Sequence, residues 1–470
     1  MPEKSARARR PGPEVEAALA DAAPTTSSTP VTTPSTAGEP GPGTRAGVRS
    51  VGRAVRQASL RDQNLSLALR HVLESDRPLS RADIAAATGL ARATVSGLVD
   101  QLIAADLLVE LEPQAAQRAG RPAVPLAVAR GTVAGIGMEV NVDYLGVRAL
   151  DLAGRVLTER IELGDFRDSD PVVVLDRLAH IAGRVIANLS ADGVRVAGTA
   201  LALPGLVDRV TGPLRVAPNL GWRDVDVVAL LSAHPVLAGF PPRLANEANL
   251  AARAEADVRR QAGVRPSFMY ISGEVGIGGA IVLDGEIFPG RHGWSGEIGH
   301  TVVDAFRAPD GEPGRLPGVS TLEDFAGQDA LMRGAGLPLA APLSALVERA
   351  REGDAAALAS LHRGGTALGV AVANVVSVVD VGLVVLGGTF GEVYPFVREA
   401  VEAQLERCVI FAPWSPVEVS VARSGEFPAM TGGALAVLRL VVADPLAWGG
   451  AGGAGGGGES VPSSSAFPSA

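Results

Sequence analysis

The sequence predicts a mixed α/β chain, with a small helical head in front of a two-lobe α/β body. Two observations carry that expectation. Three short helical patterns and two strand-like runs occupy residues 59–130. From Thr132 onward strand meanders alternate with helices, and the same plan returns near residue 268.

A chain of 470 residues is long enough to bury more than one core. Residues 1–58 are rich in Pro, Thr, Ser, Gly and Ala without apolar periodicity, and are expected to be disordered. The end, 447–470, is a Gly/Ser-rich tail of the flexible kind. Between them lie the head, 59–130, and the body, 131–446. Hydrophobic residues make up 47% and charged ones 20%, the balance of a soluble globular protein. No apolar run is long enough to predict a transmembrane helix. The basic start, "KSARARR", has no apolar stretch after it and is not expected to be a secretory signal. Cys408 is the only cysteine, which excludes an intramolecular disulfide and any multi-cysteine metal site. A cytoplasmic location is the expectation.

Charge is uneven. The first 130 residues hold 16 Lys+Arg against 13 Asp+Glu, and the rest hold 26 against 38. A basic front on an acidic body points to nucleic-acid contact by the front alone. Lys4 is the only lysine, so a Walker-type phosphate loop and a Schiff-base lysine in the body are both excluded.

In the head, Leu65, Leu69, Val72 and Leu73 form one apolar helical face. Ser80, with Asp83 three residues on, is a helix N-cap, and Gly89 ends that helix. A third helix buries Val95, Leu98, Val99 and Leu102 and leaves Arg92, Thr94 and Ser96 outward near its start. The runs "LLVELE" and "AVPLAVA" then form a hairpin with Arg118 and Arg121 at its tip. That order is a winged helix-turn-helix. Arg92, Thr94 and Ser96 would read DNA from the major groove, with Arg118 and Arg121 on the minor groove or the phosphates.

In the body, "TVAGIGMEVNVDYLGVRALDLAGRVLTERIEL" predicts three antiparallel strands, and "VRVAGTALALPGLVD" another. Helices are expected near 171–190, 246–262, 355–378, 393–407 and 432–440. Two repeats of strands plus helices suggest two lobes with a cleft between them.

The stretch "ISGEVGIGGAIVLDGEIFPGRHGWSGEIGH", residues 271–300, resembles the signature of the ROK family (repressors, open reading frames and sugar kinases). Further matches are "LALPGLVD", "APNLGW", "NEANLAA", the Leu322-Glu323 pair and "VVLGG". The resemblance covers about 130–445, and the head is similar to that of the repressor branch. It implies an actin-like, sugar-kinase fold of the ribonuclease H-like type behind the winged helix. It also implies sugar contacts at Gly205, Asn219, Asn246, Glu247, Glu297, His300 and Glu323. Carboxylates, amides and an imidazole suit the adjacent hydroxyls of one sugar ring. Trp222 is expected either beside the sugar or in the core.

Three departures from the kinase pattern follow. The kinases' Asp-x-Gly-Gly-Thr phosphate loop is here "GIGMEVNVD", with Gly137 at the Asp position and Glu139, Val140 and Asn141 at the others. Side chains there block close approach of a nucleotide, and Glu139 would add negative charge. The kinases' catalytic Asp is Glu247, whose carboxylate reaches further from the backbone. The family's zinc cysteines fall on Gly314, Leu316 and Thr321, leaving His300 as the one ligand.

The expectation is therefore a sugar-responsive, DNA-binding transcriptional regulator of carbohydrate genes, a repressor in preference to an activator. Its sensor would be kinase-derived but catalytically inactive, with no cofactor and no metal. Its partners would be operator DNA, a sugar effector and a second copy of itself, with no membrane. The alternatives are an active ATP-dependent sugar kinase carrying a DNA-binding domain, and a regulator controlled by a protein partner.

Overall fold

The computed structural model describes residues 48–112, 124–208, 212–263, 267–304 and 320–449. By its internal contacts the chain divides into Met1–Val55 and Arg56–Ala470. Of the first unit only the start of helix α1 (Val48–Leu73) is described.

The second unit opens with the head. The α1 residues Leu65, Leu69 and Val72 are buried, and Leu73 is half-buried. Helix α2 (Arg81–Thr88) begins at Ser80, whose Oγ accepts from Asp83 N at 3.2 Å. Asp83 returns the bond by accepting from Ser80 N at 2.9 Å, which satisfies two amide groups at the helix start. Gly89, in the left-handed region, ends it. Helix α3 (Arg92–Ala104) buries Val95, Leu98, Val99 and Leu102 as its periodicity requires. Strands β1 (Leu108–Glu110) and β2 (Pro125–Val128) follow. β2 lies between β1 and the short stretch Leu79–Ser80, which completes the three-stranded wing sheet.

The body holds two sheets of the same plan. The first contains β3 (Val133–Val140), β4 (Tyr144–Asp151), β5 (Val156–Leu163), β6 (Arg195–Leu203) and β7 (Arg243–Asn246) in the order β7-β6-β3-β4-β5. β3, β4 and β5 form the antiparallel meander, and β6 and β7 add parallel to β3. Helices α4 (Pro171–Ala191) and α5 (Glu247–Gln261) accompany it. The second contains β8 (Phe268–Gly273), β9 (Ile277–Leu283), β10 (Glu286–Phe288), β11 (Leu383–Gly388) and β12 (Glu418–Val421) in the order β12-β11-β8-β9-β10. Its helices are α6 (Ala355–Val379), α7 (Thr389–Cys408) and α8 (Pro428–Ala443). The repeat read from the sequence is thus a duplicated sheet topology.

Helices α7 and α8 each begin four residues earlier than the periodicity indicates, and Pro395 lies inside α7. Three short helices, Leu322–Ala326, Gln328–Gly334 and Leu343–Arg351, were not legible because each is too brief for a clear period.

Helix α8 ties the parts together. A Cβ on Gly137 of β3 would lie 1.8 Å from Met430 O of α8, and one on Gly432 of α8 would lie 1.7 Å from Leu250 O of α5. Backbone touches backbone at both places, so only glycine fits. Further along, Ala434, Leu438 and Val441 of α8 share one core with Leu65, Leu69, Val99 and Leu102 of the head.

Gly432→Ala is expected to force α8 off α5. Overpacking of this kind costs about 1–3 kcal/mol or more, so the melting temperature in a thermal denaturation scan should fall by several degrees. An unchanged melting temperature would show that the contact relaxes without cost.

Candidate functional site

The site is built where the ends of β3, β7 and β8 meet the loop before Thr301. Asn246 ends β7 and caps α5: its Oδ1 accepts from Ala248 N at 2.9 Å and from Asn249 N at 3.3 Å. Its Nδ2 donates to Gly205 O at 3.0 Å. Asn246 is therefore held rigidly between two predicted site elements, with one amide hydrogen left over. Glu247 is the first residue of α5, and its Oε2 is buried without a hydrogen-bond partner.

Across the site, Glu323 Oε1 accepts from Ile277 N at 2.7 Å. A Cβ on Gly276 would stand 2.7 Å from that oxygen and 3.4 Å from Asn219 Nδ2. Glu323 and Asn219 therefore converge on the same small volume beside Gly276. Gly299 faces Glu323 too, its would-be Cβ 3.0 Å from Oε1. Gly296, at φ +98°, turns the loop so closely on Gly279 O that a Cβ would sit 2.2 Å from it. That turn presents Glu297, half-buried, and His300, exposed. Burial raises the Glu297 carboxyl above the ordinary range; His300 opposes the rise and Glu323 adds to it. All seven sequence-predicted sugar residues thus belong to one neighbourhood. Trp222 does not: it is buried in the first lobe's core, its Nε1 donating to Ser169 O at 2.9 Å.

Sequence reasoning missed Glu274, which lies inside the signature stretch. Glu139, Glu247 and Glu274 each bring a carboxylate oxygen to within 4.8 Å of the others. Asn141 Nδ2 donates to Glu274 Oε2 at 2.6 Å. Glu139 Oε2, like Glu247 Oε2, is buried and unpartnered. Burial, then the charge of Glu274, pushes the Glu139 carboxyl up to about 8. Burial, then Glu274, Glu139 and Glu297, raises Glu247 well above the usual range. Glu274 is raised as well, again first by burial. The one available signal was a glutamate interrupting an apolar strand and its glycine loop. Among the described residues this trio is the one group close enough to hold a metal ion, and three oxygens suit a hard divalent cation. Protons relieve the same repulsion.

One expectation changes here. Glu139 was expected to add negative charge beside a nucleotide; it is 2% exposed, and burial beside Glu274 raises its carboxyl to about 8. Val140 and Asn141, at the other positions that the resemblance gives to the phosphate loop, are buried as well. At the family's zinc positions, Gly314 and Leu316 lie outside the described residues. Thr321 is spent on a helix cap with Asp324, so this position does not fit a metal-ligand role.

In the head, Arg92 and Thr94 stand exposed on the first turn of α3, and Ser96 is half-buried. Ala91 gives this helix no side-chain cap, so its first amides are free to meet a phosphate. Arg118 and Arg121 lie outside the described residues.

Residues 154–439 match the ROK family, and residues 67–112 match the IclR helix-turn-helix domain. The chain belongs to the ROK family. It is 25% identical to the xylose repressor of Bacillus spizizenii over 350 residues, 74% of this chain and 88% of that one. A solved ROK family transcriptional regulator, described as a homologue of the Escherichia coli MLC protein, superposes with a TM-score of 0.68 at 25% identity, over 83% of this chain and 98% of that one. The ROK hexokinase from Thermus thermophilus superposes with a TM-score of 0.53 at 26% identity, over 66% of this chain and 99% of that one. A helix-turn-helix head on a ROK body with the sugar-kinase-like actin fold is the architecture of a sugar-responsive, DNA-binding transcriptional regulator. Among the described residues no helix is long and apolar enough to cross a membrane.

Glu139 binds its proton more tightly in the folded chain than in the unfolded one, so its contribution to stability is full below about pH 4.5 and is lost as the pH rises through about 8. Glu139→Gln in a chelator-containing buffer is therefore expected to melt higher than the wild type at pH 8, with the gap closing toward pH 5. Equal melting temperatures at pH 8 would remove the carboxylate repulsion from the account.

Proposed function

We propose that the protein is a homodimeric repressor of carbohydrate genes whose sensor binds a neutral sugar and no longer transfers phosphate. The DNA-reading head would span 59–130 and the sensor 131–446, working in the cytoplasm. The observation that carries this reading is an asymmetry in the site. Asn219, Glu247, Glu297, His300 and Glu323 are kept together, while the strand that should cradle phosphate is filled by Glu139, Val140 and Asn141.

Sugar hydroxyls donate well to carboxylates, and the buried Glu247 Oε2 has unmet acceptor capacity. Polyphosphate needs backbone amides and cations, and buried glutamates supply neither. The head's third helix would enter the major groove, Arg92 and Thr94 reading bases while its uncapped amides hold a phosphate. Differential affinity of the sugar for one arrangement of head and sensor would then change operator binding. A helix-turn-helix usually reads two half-sites, which favours the dimer.

A second reading, an active sugar kinase, has one observation for it. Glu247 keeps a buried carboxylate where the kinases place their base.

Glu297→Ala is expected to bind operator as the wild type does but to lose the response to sugar. A lost hydrogen bond to a charged group costs about 1.5–3 kcal/mol. Fluorescence anisotropy titrations, with whichever mono- or disaccharide weakens wild-type binding, read this directly. Full induction of Glu297→Ala at the same sugar concentration would remove Glu297 from the sugar site.

Arg92→Ala should cost ~1–3 kcal/mol of operator affinity and relax sequence choice. Unaltered affinity and selectivity would take Arg92 out of the readout.

Neither the wild type nor Glu247→Asp should turn over ATP with that sugar and magnesium. Steady turnover by the wild type would establish the kinase reading; turnover by Glu247→Asp alone would show that the phosphate cradle survives.

A further inference from the structure

A cavity of about 350 Å³ lies between the head and the body; Asn246 of the sugar site borders it, and Glu247, Glu297, His300 and Glu323 do not line it. That volume is at the lower end of small-molecule sites. Its walls come from α1 of the head, from α5 and α8, from β7 with Val207, and from β10 with the stretch that leads into the Gly296 turn. Leu250, Ile287 and Leu440 give it apolar sides.

Its charged groups do not balance. Arg70, Arg253 and Arg439 line it together with one carboxylate, Glu286. Glu286 serves two guanidinium groups at once: it bonds Arg439, and its Oε2 lies 3.7 Å from Arg253 NH1. The Arg253 side chain is only 16% exposed. Burial, then the charge of Arg439, lowers its guanidinium to about 10. Asn249 also lines the cavity, and its Oδ1 is buried with no hydrogen-bond partner. A buried guanidinium, one of three that share a single carboxylate, is costly unless an anion answers the surplus charge.

We propose that this cavity is a second effector site for a small hydroxylated organic anion. Its phosphate or carboxylate group sits among Arg70, Arg253 and Arg439, and its hydroxyls face the polar wall that Asn249 and Asn246 provide. Because Arg70 belongs to the head's first helix, the bound anion clamps head to body, and its occupancy sets the freedom of the DNA-reading helices. The effect on operator rests on the regulator reading above; the binding itself does not.

The experiment uses full-length protein, with isothermal titration calorimetry and thermal shift against glucose 6-phosphate, gluconate, glucose and inorganic phosphate. One of the two hydroxylated anions should bind with a stoichiometry of one per chain and raise the melting temperature. Which of them does so distinguishes a phosphate from a carboxylate ligand. Its affinity should fall about tenfold or more in Arg253→Gln and in Arg70→Ala, and stay at the wild-type value in Glu297→Ala. Arg70 is exposed, so its variant keeps the test valid if Arg253→Gln fails to fold. The bound anion should also shift operator affinity in the wild type and not in Arg70→Ala.

Binding by neither anion overturns the proposal. So does binding that glucose or inorganic phosphate matches, the latter being an adventitious ion only. Binding lost in Glu297→Ala but kept in Arg70→Ala places the anion in the sugar cleft and also overturns it. Anion binding through Arg70 and Arg253 with no change in operator affinity overturns the effector role.

Discussion

Helix α8 lies backbone against backbone on β3 because Gly135 and Gly137 offer no side chain to hold it away. The same helix meets α5 backbone through Gly432, and its later turns complete the core of the head. β3 begins in that shared core at Val133 and carries the buried Glu139 one residue before its end. The six residue steps between them span about 20 Å, so one stiff element runs from the DNA-reading head to the site. A change at the carboxylates has a short mechanical path to the helices that would meet DNA.

The carboxylates are the second constraint. Glu139, Glu247 and Glu274 are brought together from three different elements with no guanidinium bonded to any of them. Such a cluster persists only with bound protons or a hard cation. It is unsuited to polyphosphate, and it is well suited to hydroxyl donors. On the function proposed above, the chemical preference of the site moves from phosphoryl transfer toward recognition without any change of fold. The hexokinase likeness marks where the body's architecture is shared; the filling of the phosphate strand marks where this chain parts from it.

Much of the molecule was legible from residue order alone. The Ser80 capping box, the Gly89 stop, the buried stripe of α3 and the antiparallel meander all depend on neighbours a few residues away, and local signals specify them. The signature stretch likewise marked Glu297 and His300, since their loop is contiguous. Glu274 stood in that same stretch and went unread, because its meaning depends on Glu139 and Glu247 arriving beside it from β3 and α5. Trp222 could not be placed until the first lobe closed around it. The cavity below the head had no sequence signal, since Arg70, Arg253 and Arg439 are far apart in the chain.

Residue order alone settled the element order, the duplicated plan, the helix caps, and the absence from the body of lysine chemistry, of an intramolecular disulfide and of a multi-cysteine metal site. These follow from composition and short-range periodicity. Tertiary contacts alone decided that Glu139 is buried beside two other carboxylates with its pKa raised, and that Asn246 is locked between α5 and Gly205. Burial and like-charge repulsion are set by strand register and by helix contacts between distant segments. No local pattern encodes them, because the free energy of a buried charge depends on everything that surrounds it in space.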